Sequence, residues 1–225
     1  MKEKKTVSQL YMILAAVYVT CLLLSNLTAG KMWAVTGSIT LPAAVILFPV
    51  TYILGDIFTE VYGFKGARSV IWLGFACSFF AVLVYLVTIA LPHPGFWEGQ
   101  DAYALVLGTT PRVALASFAG YLFGEFSNSI VLSKLKVATG GKNLWMRTIG
   151  STLVGEGFDS VIFVMISFWG TMDNATVLKM ILFQYLFKVL YEIIFTPVTY
   201  AVVNRVKKAE NTDVYDRGIS YNVLG

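Results

Sequence analysis

The stretch Val70–Leu91 contains no charged residue, and its length is what a helix rising 1.5 Å per residue needs to cross about 30 Å of hydrocarbon. Five more apolar runs of similar length lie at Leu10–Ala29, Leu41–Val61, Val113–Leu132, Ile149–Trp169 and Val177–Val203. The pattern predicts an all-α integral membrane protein, a bundle of six transmembrane helices forming a single membrane domain over residues 1–225, with 204–225 as a cytoplasmic tail. Composition points the same way. Apolar types make up 57% of the chain and charged types 13%, against about 25% charged in an ordinary soluble domain. Such a chain cannot cover a globule with polar surface, which excludes a soluble enzyme, a nucleic-acid-binding domain and a disordered protein. Met1–Lys5 followed by an apolar run imitates a signal peptide. That run exceeds the roughly 7–15 residues of a signal-peptide apolar region, so it reads as a retained first span.

Lysine and arginine set the orientation. With the N-terminus cytoplasmic, thirteen of the 17 basic residues fall on the inner side, and only Lys31, Arg112 and Lys179 on the outer. Lys188 lies within the sixth run. Both termini are therefore expected in the cytoplasm, with Lys31, His93 and Asp173 outside. Cys21 and Cys77 sit in apolar runs and imply no disulfide framework. One histidine, His93, leaves metal chemistry little to use, so neither a metal nor a cofactor is expected.

Six acids interrupt the apolar runs: Asp56, Glu60, Glu125, Glu156, Asp159 and Glu192. Each costs about 2.5–3.5 kcal/mol on insertion scales, and such residues usually face a cavity or one another. Their spacing supports this. Asp56 and Glu60 are four apart, as are Lys188 and Glu192; Glu125, Asn128 and Ser129, like Glu156, Asp159 and Ser160, follow an i, i+3, i+4 pattern. Four helices thus each carry a polar stripe on one face. Gly124-Glu125-Phe126-Ser127-Asn128-Ser129 and Gly155-Glu156-Gly157-Phe158-Asp159-Ser160 share the form Gly-Glu-x-x-[Asn/Asp]-Ser on oppositely directed spans. Either chance or a local inverted pseudo-symmetry accounts for the match. Beside the stripes, Ala116, Gly120, Gly124 and Asn128, and Ser151, Gly155 and Asp159, form small-residue faces suited to close helix packing, within the bundle or across a homodimer.

By rise per residue, Asp159 and Lys188 fall near mid-membrane, Glu125 and Glu192 further in, Asp56 and Glu60 towards the cytoplasmic end, and Asn26 towards the outside. Ion pairing is one use for these groups: Lys188 with Glu192 or Asp159, and Arg68 or Arg147 with Glu60 or Glu156. It leaves a surplus of acids over the one base in a span interior. The surplus must be hydrated, neutralised by a proton or met by a ligand that donates hydrogen bonds. An ionised carboxylate only accepts, so the pocket suits a cation or an N–H-rich ring such as a guanine edge. Lys188 or Asn128 would then donate to its carbonyl. Phe126, Phe158, Tyr185 and Tyr191 offer flat surfaces near the stripes, or simply pack in the core or against lipid.

The run from Phe48 to Gly63, with Gly55-Asp56-Ile57-Phe58-Thr59-Glu60-Val61-Tyr62-Gly63 as its most specific part, resembles the signature second span of the queuosine precursor transporter family. Ser25-Asn26, the two Gly-Glu segments, Lys188-Val189-Leu190-Tyr191-Glu192, Pro197 and the tail Tyr215-Asp216 are similar to it as well. The resemblance implies a multi-pass importer in the bacterial inner membrane. Its substrates would be the 7-deazaguanine bases preQ0 and preQ1, used in making a modified tRNA nucleoside. It also implies a bundle similar to the binding subunits of vitamin-uptake systems. The expected substrate-binding residues are Asn26, Asp56, Glu60, Glu125, Asn128, Glu156, Asp159, Lys188 and Glu192, with no catalytic residue and no nucleic-acid partner. Two alternatives stay open: a binding subunit energised by a separate partner, and an integral-membrane enzyme. Against the enzyme, neither the Gly-x-Gly-Asp context of an intramembrane protease nor a Glu-x-x-His pair is present. No phosphate-binding Gly-x-x-x-x-Gly-Lys loop occurs, so the chain does not itself hydrolyse ATP. The surplus acids also suggest proton-linked uptake, with Asp159 or Glu156 as carrier because they lie nearest mid-membrane.

Overall fold

The computed structural model describes residues 8–36, 39–108, 111–171 and 173–224; Lys2, Lys4 and Lys5, counted above as inner charges, lie outside this set. The elements run α1 (Gln9–Thr28), β1 (Met32–Thr36), β2 (Ile39–Pro42), a 3-10 turn (Ala43–Ile46), α2 (Phe48–Ala90), α3 (Gln100–Leu107), α4 (Pro111–Ala138), α5 (Leu144–Phe168) and α6 (Asn174–Glu210). Among the described residues, five helices are long and apolar enough to cross a membrane. Their ends follow local chemistry. Ser8 Oγ accepts from Tyr11 N at 3.0 Å to start α1, and Asp173 Oδ1 accepts from Thr176 N at 2.8 Å to start α6. Both occupy N-cap positions. Arg112 donates to the carbonyls of Ile166 and Trp169 at the end of α5.

The structure departs from the sequence reading in four places. A second span beginning at Leu41 is not what forms: Trp33 pairs with Leu41 and Met32 with Pro42 in an antiparallel hairpin, and α2 begins only at Phe48. The β-branched residues Val35, Thr36, Ile39 and Thr40 explain the extended backbone, and this short hairpin is an addition to an all-α helical bundle. The short α3, in the expected outer loop, is an addition. The loop expected between the second and third runs is absent, because α2 continues through it with one non-helical residue, Gly63, at φ 75° and ψ 175°. Finally, the expected cytoplasmic tail does not begin at 204: α6 reaches Glu210, and the described residues after it fold back onto the bundle.

Contacts fix the directions. Tyr11 meets Gly66 and Asn26 meets Ser78, so α1 runs alongside the second half of α2. Asp56 meets Asn128 and Glu60 meets Lys136, so the first half of α2 runs with α4. Tyr121 bonds Ile71 while Phe126 lies against Phe64, so the second half runs against α4. The two halves of α2 are therefore antiparallel, and the chain reverses at Gly63.

The C-terminal segment closes that reversal. Asp216 Oδ2 accepts from Phe64 N at 2.7 Å, the first amide after the break, and from Ser133 Oγ at 2.6 Å. Val214 N donates to Val61 O at 3.1 Å, and Trp72 Nε1 to Val223 O at 2.7 Å. A Cβ on Gly63 would lie 2.7 Å from Val214 and 2.8 Å from Asp216. The positive φ and the close tail both require glycine there.

The α4–α5 pair is the most intimate in the molecule. A Cβ on Gly124 would lie 3.1 Å from Gly155 O, and one on Gly155 would lie 2.8 Å from Gly124 O and 2.7 Å from Asn128 Cβ. The small-residue faces thus pack within the bundle.

Two outcomes test this architecture. Gly155→Ala should destabilise the detergent-solubilised protein by about 1–3 kcal/mol through overpacking. Gly157→Ala on the same helix meets only Tyr185 at 3.8 Å and should be neutral or gain up to about 1 kcal/mol of helix propensity; thermal melts that rank the two alike would count against the close crossing. Asp216→Ala leaves the Phe64 amide buried without an acceptor, at about 1–3 kcal/mol, so trypsin should cut after Arg217 faster than in the parent. An unchanged digestion rate would mean that Asp216 does not hold the tail.

Candidate functional site

The polar stripes converge between α2, α4, α5 and α6, and most of their residues are fully buried: Asp56, Glu60, Glu125 and Asn128 at 0%, Glu156 and Lys188 at 1%, Glu192 at 2% and Asp159 at 7%. They divide into three groups along the bundle.

Nearest the hairpin end, Lys188 Nζ lies 2.6 Å from Glu156 Oε2 and also donates to Asp159 Oδ2. Its ammonium sits 5.8 Å from the ring centroid of Tyr52. The sequence argument offered Lys188 to Glu192, one turn along α6, or to Asp159. The lysine crosses to α5 and meets Asp159 together with Glu156, two acids three residues apart that offer two carboxylates to one ammonium. Glu156 and Asp159 therefore have a base, and the case for either as proton carrier by lack of a partner no longer holds.

In the middle, Glu125 has neither carboxylate oxygen hydrogen-bonded. Gly55 makes room for it, since a Cβ there would lie 2.8 Å from Glu125 Oε2. The Tyr18 hydroxyl is close by but committed. Tyr121 donates its proton to Ile71 O at 2.8 Å, so the 3.0 Å contact between the two tyrosines uses the proton of Tyr18. Asn128 Nδ2 donates to Asp56 Oδ1 at 2.6 Å, leaving Asp56 Oδ2 without a partner. Glu192 Oε1 is likewise unpartnered. Thr59 Oγ1 bonds Ser129 Oγ at 3.1 Å and ties α2 to α4 beside these acids.

At the opposite end, Glu60 Oε1 lies 2.7 Å from Arg147 Nη2 and 2.7 Å from Lys207 Nζ, with Lys136 Nζ at 3.7 Å. Lys136 and Lys207 both reach Asp213 Oδ1, at 2.5 and 2.9 Å. Glu60 thus belongs to a basic cluster under the C-terminal segment rather than to the middle acids. The pairing of Arg147 with Glu60 follows the sequence reading; the count of one base for six acids does not. Lys136, Arg147 and Lys207 lie near helix ends, where the sequence assigns them to loops, yet their long side chains fold inward. Asp213 lies in the segment after α6. Burial works to raise its carboxyl, but the two ammoniums outweigh burial and hold it below its ordinary 3.8. Its contribution to holding the segment is therefore complete above the ordinary carboxylate range and is lost only as pH falls through the depressed value.

Asn26 stands apart, half-buried, with Nδ2 donating to Ser78 Oγ at 3.3 Å. It lines a cavity of about 250 Å³ under the hairpin and α3, walled by Ser117, Phe118, Phe163 and Phe168. Below it, a neck of about 20 Å³, room for a water or two, ends at Asp159, Gln184 and Lys188. Gln184 is a site residue that the sequence reading missed, although it continues the α6 stripe four residues before Lys188. Phe126 packs against Phe64 and Trp72, and Tyr191 stacks on Phe195, so these two are core aromatics. Phe158 is exposed on the bundle surface. Among the described residues, no group of three or more His, Cys, Asp or Glu side chains is placed to hold a metal ion.

The family described as putative vitamin uptake transporter matches residues 42–202. The queuosine precursor transporter of Escherichia coli (strain K12) is 30% identical over 159 residues, covering 69% of each chain. The probable queuosine precursor transporter of Bacillus subtilis (strain 168) is 27% identical over 168 residues, 74% of this chain and 73% of the relative. That of Haemophilus influenzae is 27% identical over 164 residues, 72% of this chain and 67% of the relative. No solved structure matches. With the family match spanning most of the helical bundle and the relatives covering two thirds or more of their own length, the chain belongs to the queuosine precursor transporter family, and it is a multi-pass helical membrane transporter rather than an enzyme.

Proposed function

We propose that the protein imports queuosine precursors, 7-deazaguanine bases of the preQ0 and preQ1 type, across the bacterial inner membrane. The observation that carries this reading is the buried group of carboxyls with unpartnered oxygens, Glu125, Asp56 and Glu192, in a chain whose relatives are named for that substrate class. Adjacent N–H donors on the base edge supply what these acceptors lack, while Lys188 and Asn128 are the donors available to a ring carbonyl. On this reading Asp159, Glu156 and Lys188 form the upper part of the site, Glu125, Asn128, Asp56 and Glu192 the lower, Asn26 lies in the outer cavity, and Glu60 closes the far end. A proton is the other partner that an unpaired carboxyl accepts. Proton-linked uptake therefore passes, in this proposal, from Asp159 and Glu156 to the acids without a base.

The chain makes six crossings on this reading, with both termini in the cytoplasm. At about 1.5 Å per residue the 43 residues of α2 are twice too long for one crossing, and their reversal at Gly63 supplies two. The end holding Glu60, Arg147 and Lys207 is the inner one, as the excess of basic residues requires. A homodimer would need a surface other than the α4–α5 small-residue faces, which are already used.

In liposomes holding only the purified protein, labelled 7-deazaguanine should enter, and accumulate under an inward proton gradient. Glu125→Gln, Glu156→Gln, Asp159→Asn and Glu192→Gln each turn an acceptor oxygen into a donor, and should weaken binding about tenfold to a hundredfold where the ligand touches. Unchanged binding in all four variants would remove the carboxylates from recognition. Transport that needs a second protein would favour the binding-subunit alternative. Topology has its own check. In a background lacking Cys21 and Cys77, cysteine at Lys31 or His93 should react with an impermeant thiol reagent added outside, and cysteine at Lys142 or Lys208 should not; the reverse pattern would overturn the assigned orientation.

A further inference from the structure

The outer cavity and the narrow neck share Ala29, Pro42, Ser117 and Phe163 as lining, so they form one path from the hairpin end down to the Lys188 group. The upper chamber, about 250 Å³, lies just below the roughly 300–1,000 Å³ of ordinary small-molecule sites, a size suited to a small bicyclic ring between phenylalanines. The neck, at about 20 Å³, does not admit one. A base resting in the chamber therefore presents its leading edge to whatever lies at the bottom of the neck.

Three polar side chains are there, and two are engaged with each other, Lys188 with Asp159. The third, Gln184, is 4% exposed, and its Oε1 has no hydrogen-bond partner. A buried amide oxygen without a partner costs free energy in the empty protein. It recovers that cost when a donor arrives. Nothing about helix packing demands a glutamine here: an apolar side chain of similar volume would fill the position without an unmet acceptor. A primary amide carries an acceptor beside a donor, which is the complement of a lactam, an N–H beside a C=O.

We propose that Gln184 is a substrate-recognition residue at the base of the outer cavity, its amide pairing with the lactam edge of the incoming heterocycle next to Asp159 and Lys188. This rests on the functional reading above and extends it to a residue outside the carboxylate set. The glutamine takes the neutral half of the edge, and the charged residues take the rest. It lies one helical turn from Lys188, on the same face of α6.

The test pairs a change in the protein with a change in the ligand. Calorimetry on the purified full chain would measure 7-deazaguanine and 2-amino-7-deazapurine, which lacks the lactam N–H and carbonyl, against the parent, Gln184→Leu and Gln184→Met. The parent should prefer 7-deazaguanine, and both variants should lose about tenfold or more in affinity for it. Affinity for the analogue should stay the same in parent and variants, because the group that Gln184 contacts is already missing; such non-additivity marks direct contact. Gln184→Glu, which keeps an acceptor, should retain part of the binding. Equal losses for both ligands would assign Gln184 to packing and overturn the proposal, as would variants that bind like the parent. A parent that binds neither ligand would overturn the functional reading, and this inference with it, whereas binding with additive losses overturns the inference alone. Variants that melt well below the parent would be replaced in the comparison by Gln184→Glu, whose volume matches the native side chain.

Discussion

The close crossing of α4 and α5 is the contact on which the site depends. Gly124 and Gly155 face one another, and the contacts around them are reciprocal: Gly124 lies against Asp159 Cβ, and Gly155 against Asn128 Cβ. The two Gly-Glu-x-x-[Asn/Asp]-Ser segments therefore meet about a local pseudo-two-fold. Asn128 and Asp159 occupy the space that the glycines leave, and each helix also presents its polar stripe to its outer neighbour. α4 presents Asn128 to Asp56 of α2, while α5 presents Glu156 and Asp159 to Lys188 of α6. A pattern written twice in the sequence becomes two half-sites with different chemistry, because the neighbours differ.

That difference divides the charge. Burying an ion pair is often close to neutral for stability, but leaving one partner alone costs about 3–5 kcal/mol. Lys188 holds the α5 acids, and Arg147 and Lys207 hold Glu60. Glu125, Asp56 and Glu192 stand between these two settled ends with oxygens that nothing in the bundle meets. A fold built only for stability gains nothing from three such groups in its centre; in the proposed function they are the acceptors left for a polar ring.

The far end shows how a polar cluster and a chain reversal are joined. Reversal at Gly63 leaves the Phe64 amide at a helix start with no upstream carbonyl, and Asp216 supplies the acceptor. The same C-terminal segment brings Asp213 to Lys136 and Lys207, which in turn reach Glu60. The tail is thus both the cap of α2's second half and a wall of the basic cluster.

Much of this was legible in the sequence because its causes are local. Apolar run length and the stripes of acids at helical spacing dictated a membrane bundle with a polar interior, whatever the partners turned out to be. Gly120, Gly124 and Gly155 announced a close helix pair. The pairing was legible only as alternatives. The sequence allowed Lys188 either Glu192, one turn away, or Asp159; it bonds Asp159 and Glu156 across the bundle, since helix rotation, which depends on every packed neighbour, decides which stripe an ammonium meets. Arg147 was a candidate partner for Glu60 or Glu156, but Lys136 and Lys207 looked like loop charges because their backbones are near helix ends, and only the packed structure shows their side chains turned in to Glu60. Gly63 was one glycine in a presumed loop; its positive φ, and the tail that caps it, come from contacts more than 150 residues apart along the chain. Local sequence determined which helices form and which faces are polar, and tertiary packing decided which charges cancel and which acceptors remain open.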